Sequence, residues 1–177
     1  MGRLISILSI ATVVFNASCY KAPVEKLKLV KSFEVSFEDT SVFKGYFEVD
    51  RKNLTNHVTK ITSSAPFGGG IFFDLPDSLL NKNLRFIIKA KTRSDGWNTF
   101  GHSFVINMND HGNLVNWYEL NIDNFFNKRD EWNNFEDSIH VSRDRNHGSQ
   151  IKIFGYDRSK KDFMEYDDLR VEIKVFE

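Results

Sequence analysis

Leu169-Arg170-Val171-Glu172-Ile173-Lys174-Val175, close to the C-terminus, alternates a branched aliphatic residue with a charged one at every step. Successive side chains of a strand point to opposite faces, whereas a helix would scatter these aliphatics around its circumference. The stretch therefore reads as a strand with one apolar face. The same period of two recurs upstream. Phe33, Val35 and Phe37 alternate with Ser32, Glu34 and Ser36, and Leu84, Phe86, Ile88 and Ala90 with Arg85, Ile87, Lys89 and Lys91. Phe104, Ile106 and Met108 share a side, as do Tyr118, Leu120 and Ile122, which leaves Trp117, Glu119 and Asn121 on the opposite side. Ile151 and Ile153 alternate with Lys152 and Phe154. Turn-rich segments separate these runs: Ser63 to Gly70, Arg93 to Gly96, Asn109 to Asn113 and Asn146 to Ser149. Strands with one apolar side must bury it against a second layer, which predicts an all-β sandwich of two antiparallel sheets. Only Leu79 to Asn83 suggests a helical turn.

Composition bounds the function. A chain of 177 residues suits one domain. Lys plus Arg and Asp plus Glu are 24 each, so the basic excess of a nucleic-acid binder is missing. Seventeen Phe within 14% aromatics exclude a disordered chain. A single Cys excludes an internal disulfide framework and a Cys-rich zinc site.

The N-terminus carries an address. Arg3 precedes the uncharged, mostly apolar run Leu4 to Phe15, too short for a membrane-spanning helix of about 20 residues but suited to the core of a secretory signal. Ala17 and Ser18 then precede Cys19. This resembles the signal peptide of a bacterial lipoprotein, whose cysteine is acylated and becomes the new N-terminus; the departure is Asn16, where that family prefers an aliphatic residue. A lone thiol on an exported protein is open to oxidation unless it carries lipid. The expectation is a signal peptide over 1–18, a lipidated Cys19 and basic tether over 19–31, and a β-sandwich domain over 32–177. The protein would then sit in the bacterial cell envelope, anchored to the membrane, with Tyr20 and Lys21 leaving periplasmic or surface display open.

The order of segments resembles the jelly-roll carbohydrate-binding modules of families four, nine and twenty-two, of the galactose-binding-like superfamily. Four pieces carry the resemblance: Phe37-Glu38-Asp39, Phe72-Phe73-Asp74-Leu75-Pro76 ahead of Leu84 to Ala90, Trp132-Asn133-Asn134-Phe135, and Tyr166-Asp167-Asp168-Leu169-Arg170-Val171. It implies a jelly roll and a non-catalytic, glycan-binding role. It also implies a structural calcium joining the first and last strands, with Glu38 and Asp168 (or Asp39 and Asp167) as matching positions. Calcium takes six to eight hard oxygens, so loop carbonyls would complete the set. A turn capped by Asp167 and Asp168 accounts for the same residues.

Sugar rings stack a C–H face on aromatic side chains and pair hydroxyls with polar ones. The candidates for such a site are Trp97 in a Gly-containing loop and Trp117, with Glu119 and Asn121 on its side of the strand, and Arg85, Lys89 and Asn107 projecting from neighbouring strands. Phe154 and Tyr156 face away from the core and would extend the platform. Trp132 is assigned to structure. A glycosidase needs two carboxylates held about 5–10 Å apart. The acidic clusters Glu131, Glu136, Asp137 and Asp162, Glu165, Asp167, Asp168 read instead as solvated loops. The five His show no metal-binding spacing, and Gly68-Gly69-Gly70 lacks the Lys-Ser/Thr of a phosphate cradle. The same scaffold without a sugar site would dock another envelope protein through its open face or edge.

Overall fold

The computed structural model of the chain describes residues 26–37, 47–50, 53–95, 101–159 and 163–176, with side chains over 26–37, 57–95, 101–159 and 163–176. These contain ten strands: β1 (Leu27–Val35), β2 (Phe47–Asp50), β3 (Asn53–Ile61), β4 (Phe67–Asp74), β5 (Leu84–Ser94), β6 (His102–Asp110), β7 (Asn113–Asn121), β8 (Asn133–Val141), β9 (Gln150–Asp157) and β10 (Met164–Phe176). One sheet has six strands in the order β2-β3-β10-β5-β8, with β1 also on β10; the other has four, in the order β4-β9-β6-β7. Every pairing is antiparallel. The result is a jelly-roll β-sandwich.

The Leu169–Val175 alternation lies at the centre of the six-stranded sheet. One edge of β10 pairs with β5; the other pairs with β3 through Met164–Tyr166 and with β1 from Leu169 to Phe176. The apolar faces meet between the sheets. Phe86, Ile88, Val171 and Ile173 from one layer and Phe104, Ile106, Met108, Ile151 and Ile153 from the other are all fully buried. Each such side chain contributes about 1.5–3 kcal/mol by leaving water.

Four features depart from the sequence reading. Strand β1 starts at Leu27, so part of the expected tether is paired, with Leu27 opposite Phe176; a register shift between Leu29 and Lys31 breaks the period of two and hides this first part of the strand, ahead of the Phe33/Val35 alternation, from an alternation search. Strand β3 was not anticipated, because a polar residue, Thr59, occupies a buried position where its hydroxyl accepts the Gly69 amide at 2.7 Å. Gly68-Gly69-Gly70 lies within β4 rather than in a turn. Finally, β10 begins at Met164, so Glu165 and Asp167 are buried strand residues and not a solvated loop.

The glycine run within β4 has a cause in Tyr166 of β10. Its ring stands edge-on to Phe104 with centroids 5.1 Å apart, and its hydroxyl donates to the Gly69 carbonyl and accepts the Gly155 amide at 2.9 Å. A Cβ on Gly155 would come within 2.5 Å of the Tyr166 ring, and one on Gly68 within 2.5 Å of its hydroxyl. Glycine in these strands makes room for a tyrosine reaching across from the facing sheet. Burial pushes the Tyr166 hydroxyl pKa well up.

Candidate functional site

The outer face of the four-stranded sheet carries an aromatic patch whose rows follow from register. Phe72 of β4 is opposite Lys152 of β9, which is opposite Asn107 of β6, which is opposite Trp117 of β7. The next row runs Gly70, Phe154, Val105 and Glu119. Val105 faces outward by this register yet is fully buried. Trp117 meets Phe154 and Tyr156 edge-on at 5.8 and 5.7 Å, and Phe67 stacks on Tyr156 at 5.1 Å. Phe67 and Phe72 remain 53% and 57% exposed and Trp117 37%, so solvent reaches their rings. Between them lies an open groove of about 370 Å³, with Gly68 and Gly70 on its floor and Asn107, Trp117, Lys152 and Phe154 along it. A Cβ on Gly70 would overlap the Ile153 carbonyl, so the close strand approach and the low floor both need glycine there.

Trp117 is held in place. Its indole N–H donates to Glu119 at 2.7 Å, and Arg158 Nη2 donates to the two oxygens of the same carboxylate, at 2.7 and 2.6 Å. Hydrogen bonding to Glu119 raises the Arg158 guanidinium above its ordinary pKa. The predicted pair of Trp117 and Glu119 thus comes together, with Arg158 as a third member that gave no sequence signal. Asn121 lies on the same side, but its amide donates to Asp123 Oδ2 at 3.3 Å and its carbonyl accepts the Asp123 amide at 2.8 Å, a local turn.

Arg85 is not part of this face. It belongs to β5 in the other sheet, with its guanidinium 5.2 Å from the Phe176 ring centroid. Lys89 is there too, ion-paired to Glu136 at 3.0 Å. Period two shows which side of its own strand a residue takes, but not which sheet the strand joins, and this misplaced both. Asn107 does reach the groove. Phe67 and Phe72 were missed because one sits in a segment read as a turn and the other next to Phe73, with no alternation to distinguish outward from inward. Trp97, Cys19 and Glu38 lie outside the described residues, as does the signal segment.

Of the implied calcium pair, only Asp168 is among the described residues. Its carboxylate holds the Lys91 ammonium at 2.7 Å and raises that group above its ordinary pKa, and its backbone has the positive φ of 50° of a bulge. No group of three or more His, Cys, Asp or Glu able to hold a metal occurs among the described residues. Trp132, assigned to structure in the sequence, packs on Arg93. Its ring lies 4.5 Å from the Arg93 guanidinium, which is buried and ion-paired to Glu165 at 2.6 Å. His102 is fully buried, its Nδ1 3.3 Å from Asp123 Oδ1.

No protein-family profile matches the chain, and no curated protein does. Solved structures do show similarity. One is the second CBM22 xylan-binding domain of Paenibacillus barcinonensis Xyn10C, at 14% identity over 78% of this chain and 97% of that one, with a TM-score of 0.48. Another is the C-terminal CBM6 of LamC from Zobellia galactanivorans, at 8% identity over 80% and 98%, with a TM-score of 0.40. A third is the cyclase Fisc of Fischerella sp. TAU, at 9% identity over 90% and 94%, with a TM-score of 0.44. The likeness is one of fold.

Proposed function

We propose that this chain is a non-catalytic glycan-binding sandwich, which holds sugar rings against Trp117, Phe72 and Phe67 and pairs their polar groups with Asn107 and Lys152. The observation that carries the reading is the solvent-reached aromatic groove on the outer face of the four-stranded sheet. Contiguous exposed apolar surface on a domain of this size marks a binding site. Flat rings beside a few polar heads suit a ligand with C–H faces and polar edges. The lining residues are apolar or aromatic apart from Asn107 and Lys152, a set that binds rather than cleaves. The location we propose, a lipid anchor at Cys19 in the bacterial cell envelope, rests on the sequence of the first residues alone. In that setting the groove would capture poly- or oligosaccharides near the membrane.

The test is a glycan array probed with the full chain and with Trp117→Ala. The expected result is a hit that weakens about tenfold or more in the variant, equivalent to roughly 1.4 kcal/mol of lost ring burial, at unchanged melting temperature. No hit at all would overturn the reading. A second reading, docking of another envelope protein, draws on Leu114 and Val115, exposed on β7, the last strand of the four-stranded sheet among the described residues. A silent array, together with a protein partner released by Trp117→Ala, would favour it.

A further inference from the structure

The polar side chains of the groove offer mostly hydrogen-bond donors. Lys152 carries three N–H donors and no acceptor. Its ammonium lies 5.5 Å from the Phe72 ring centroid, and it has no ion pair with any described carboxylate. Asn107 is its cross-strand neighbour. The Asn107 carbonyl already accepts a hydrogen bond from the Asn109 amide, so Asn107 brings two N–H donors to the groove and one remaining acceptor lone pair. The acceptor closest by register, Glu119, already takes three hydrogen bonds from Arg158 and Trp117 and lies beside a cation. Asp74 and Gln150 form the row beyond Phe72 and Lys152 and do not line the groove. A neutral sugar hydroxyl both donates and accepts, so a pair with many donors and little acceptor capacity serves its accepting side better than its donating side. An anionic oxygen only accepts, and gains a charge-assisted bond from an ammonium.

We infer that the groove is built for an acidic glycan, one whose rings stack on Trp117 and Phe72 while a carboxylate or sulfate ester is received by Lys152 and Asn107. This deepens the glycan-binding reading and rests on it. A pair as exposed as this is worth up to about 1 kcal/mol, which converts to a preference of about fivefold. The preference shrinks in salt, since the charges meet at the surface.

The experiment is isothermal titration of the full chain, held in detergent, with three oligosaccharides of equal length: a neutral xylo-oligomer, an oligogalacturonate and a sulfated galactan oligomer. The two acidic arms separate carboxylate from sulfate. Expected is about fivefold tighter binding of at least one acidic ligand, reduced to parity in Lys152→Met, retained in Lys152→Arg, and reduced in high salt. Lys152→Arg keeps the charge, so a loss in Lys152→Met caused by misfolding would show in the melting temperature of one variant and not the other. Equal binding of neutral and acidic ligands would overturn this inference and leave the glycan-binding reading standing. A preference that survives Lys152→Met would also overturn it. If none of the three binds and the array is silent, both fall together.

Discussion

Tyr166 shows how one side chain constrains three strands. It is fully buried in β10, yet its hydroxyl gives and receives hydrogen bonds from β4 and β9 in the facing sheet, so two backbone groups depend on it. Removing only that oxygen in Tyr166→Phe leaves the Gly155 amide and the Gly69 carbonyl short of a partner. The expected cost is about 1–3 kcal/mol of unfolding free energy by urea denaturation, and a loss below about 0.5 kcal/mol would contradict it. Lys152 and Trp117 are the opposite kind of residue. Neither is needed by the core, and their substitution is expected to act on binding. At this scale Trp117 and Glu119 were legible from the sequence, because period two places them opposite Tyr118 and Leu120. Arg158 was not, because it follows the last residue of β9 and reaches Glu119 only through the tertiary fold.

The junction of β5 and β10 binds the six-stranded sheet internally, and part of what holds it is electrostatic. Arg93 of β5 and Glu165 of β10 are opposite each other in register, both are nearly inaccessible, and Trp132 lies against the guanidinium. Deleting one member leaves a buried charge without its partner, so Arg93→Met is expected to destabilise by about 3–5 kcal/mol, and Arg93→Met with Glu165→Met by less. A double variant as unstable as the sum of the singles would show that the two residues do not act as a pair. The charges explain why this end of β10 was read as a loop: Asp162, Glu165, Asp167 and Asp168 look solvated in sequence, and only a facing arginine makes Glu165 a core residue. Elements whose apolar face is continuous, such as β6 and the later half of β10, were plain in the sequence. Those interrupted by a bulge, a run of glycine or a buried threonine, as in the first half of β1, in β4 and in β3, were not, since in each the tertiary partner overrides the local pattern.

For the whole molecule, the seam at which β6 begins makes stability depend on acid. Burial alone would raise the Asp123 carboxyl, but the His102 ring and the amides of Gly101 and His102, at 2.7 and 3.2 Å, outweigh it and hold the group below its ordinary value. A carboxyl that binds its proton more weakly when folded contributes stability above its unfolded pKa of about 3.9. That contribution is lost as pH falls through the folded value, because the unfolded chain then takes up more protons. Asp123→Asn is therefore expected to flatten the acid limb of a melting-temperature profile below about pH 5; an unchanged limb would contradict the assignment. The two faces of the sandwich divide the remaining labour. The outer side of the six-stranded sheet carries Arg85, Lys89 and Lys91, with Glu136 and Asp168 as partners of the two lysines, whereas the outer side of the four-stranded sheet carries the rings. The location of a glycan is thus the most direct question to put to the protein. Amide chemical-shift mapping of the full chain with an array-identified oligosaccharide should place the largest changes on Phe72, Asn107, Trp117, Lys152 and Phe154. Shifts concentrated on β5, β8 and β10, or none with any sugar, would contradict the account.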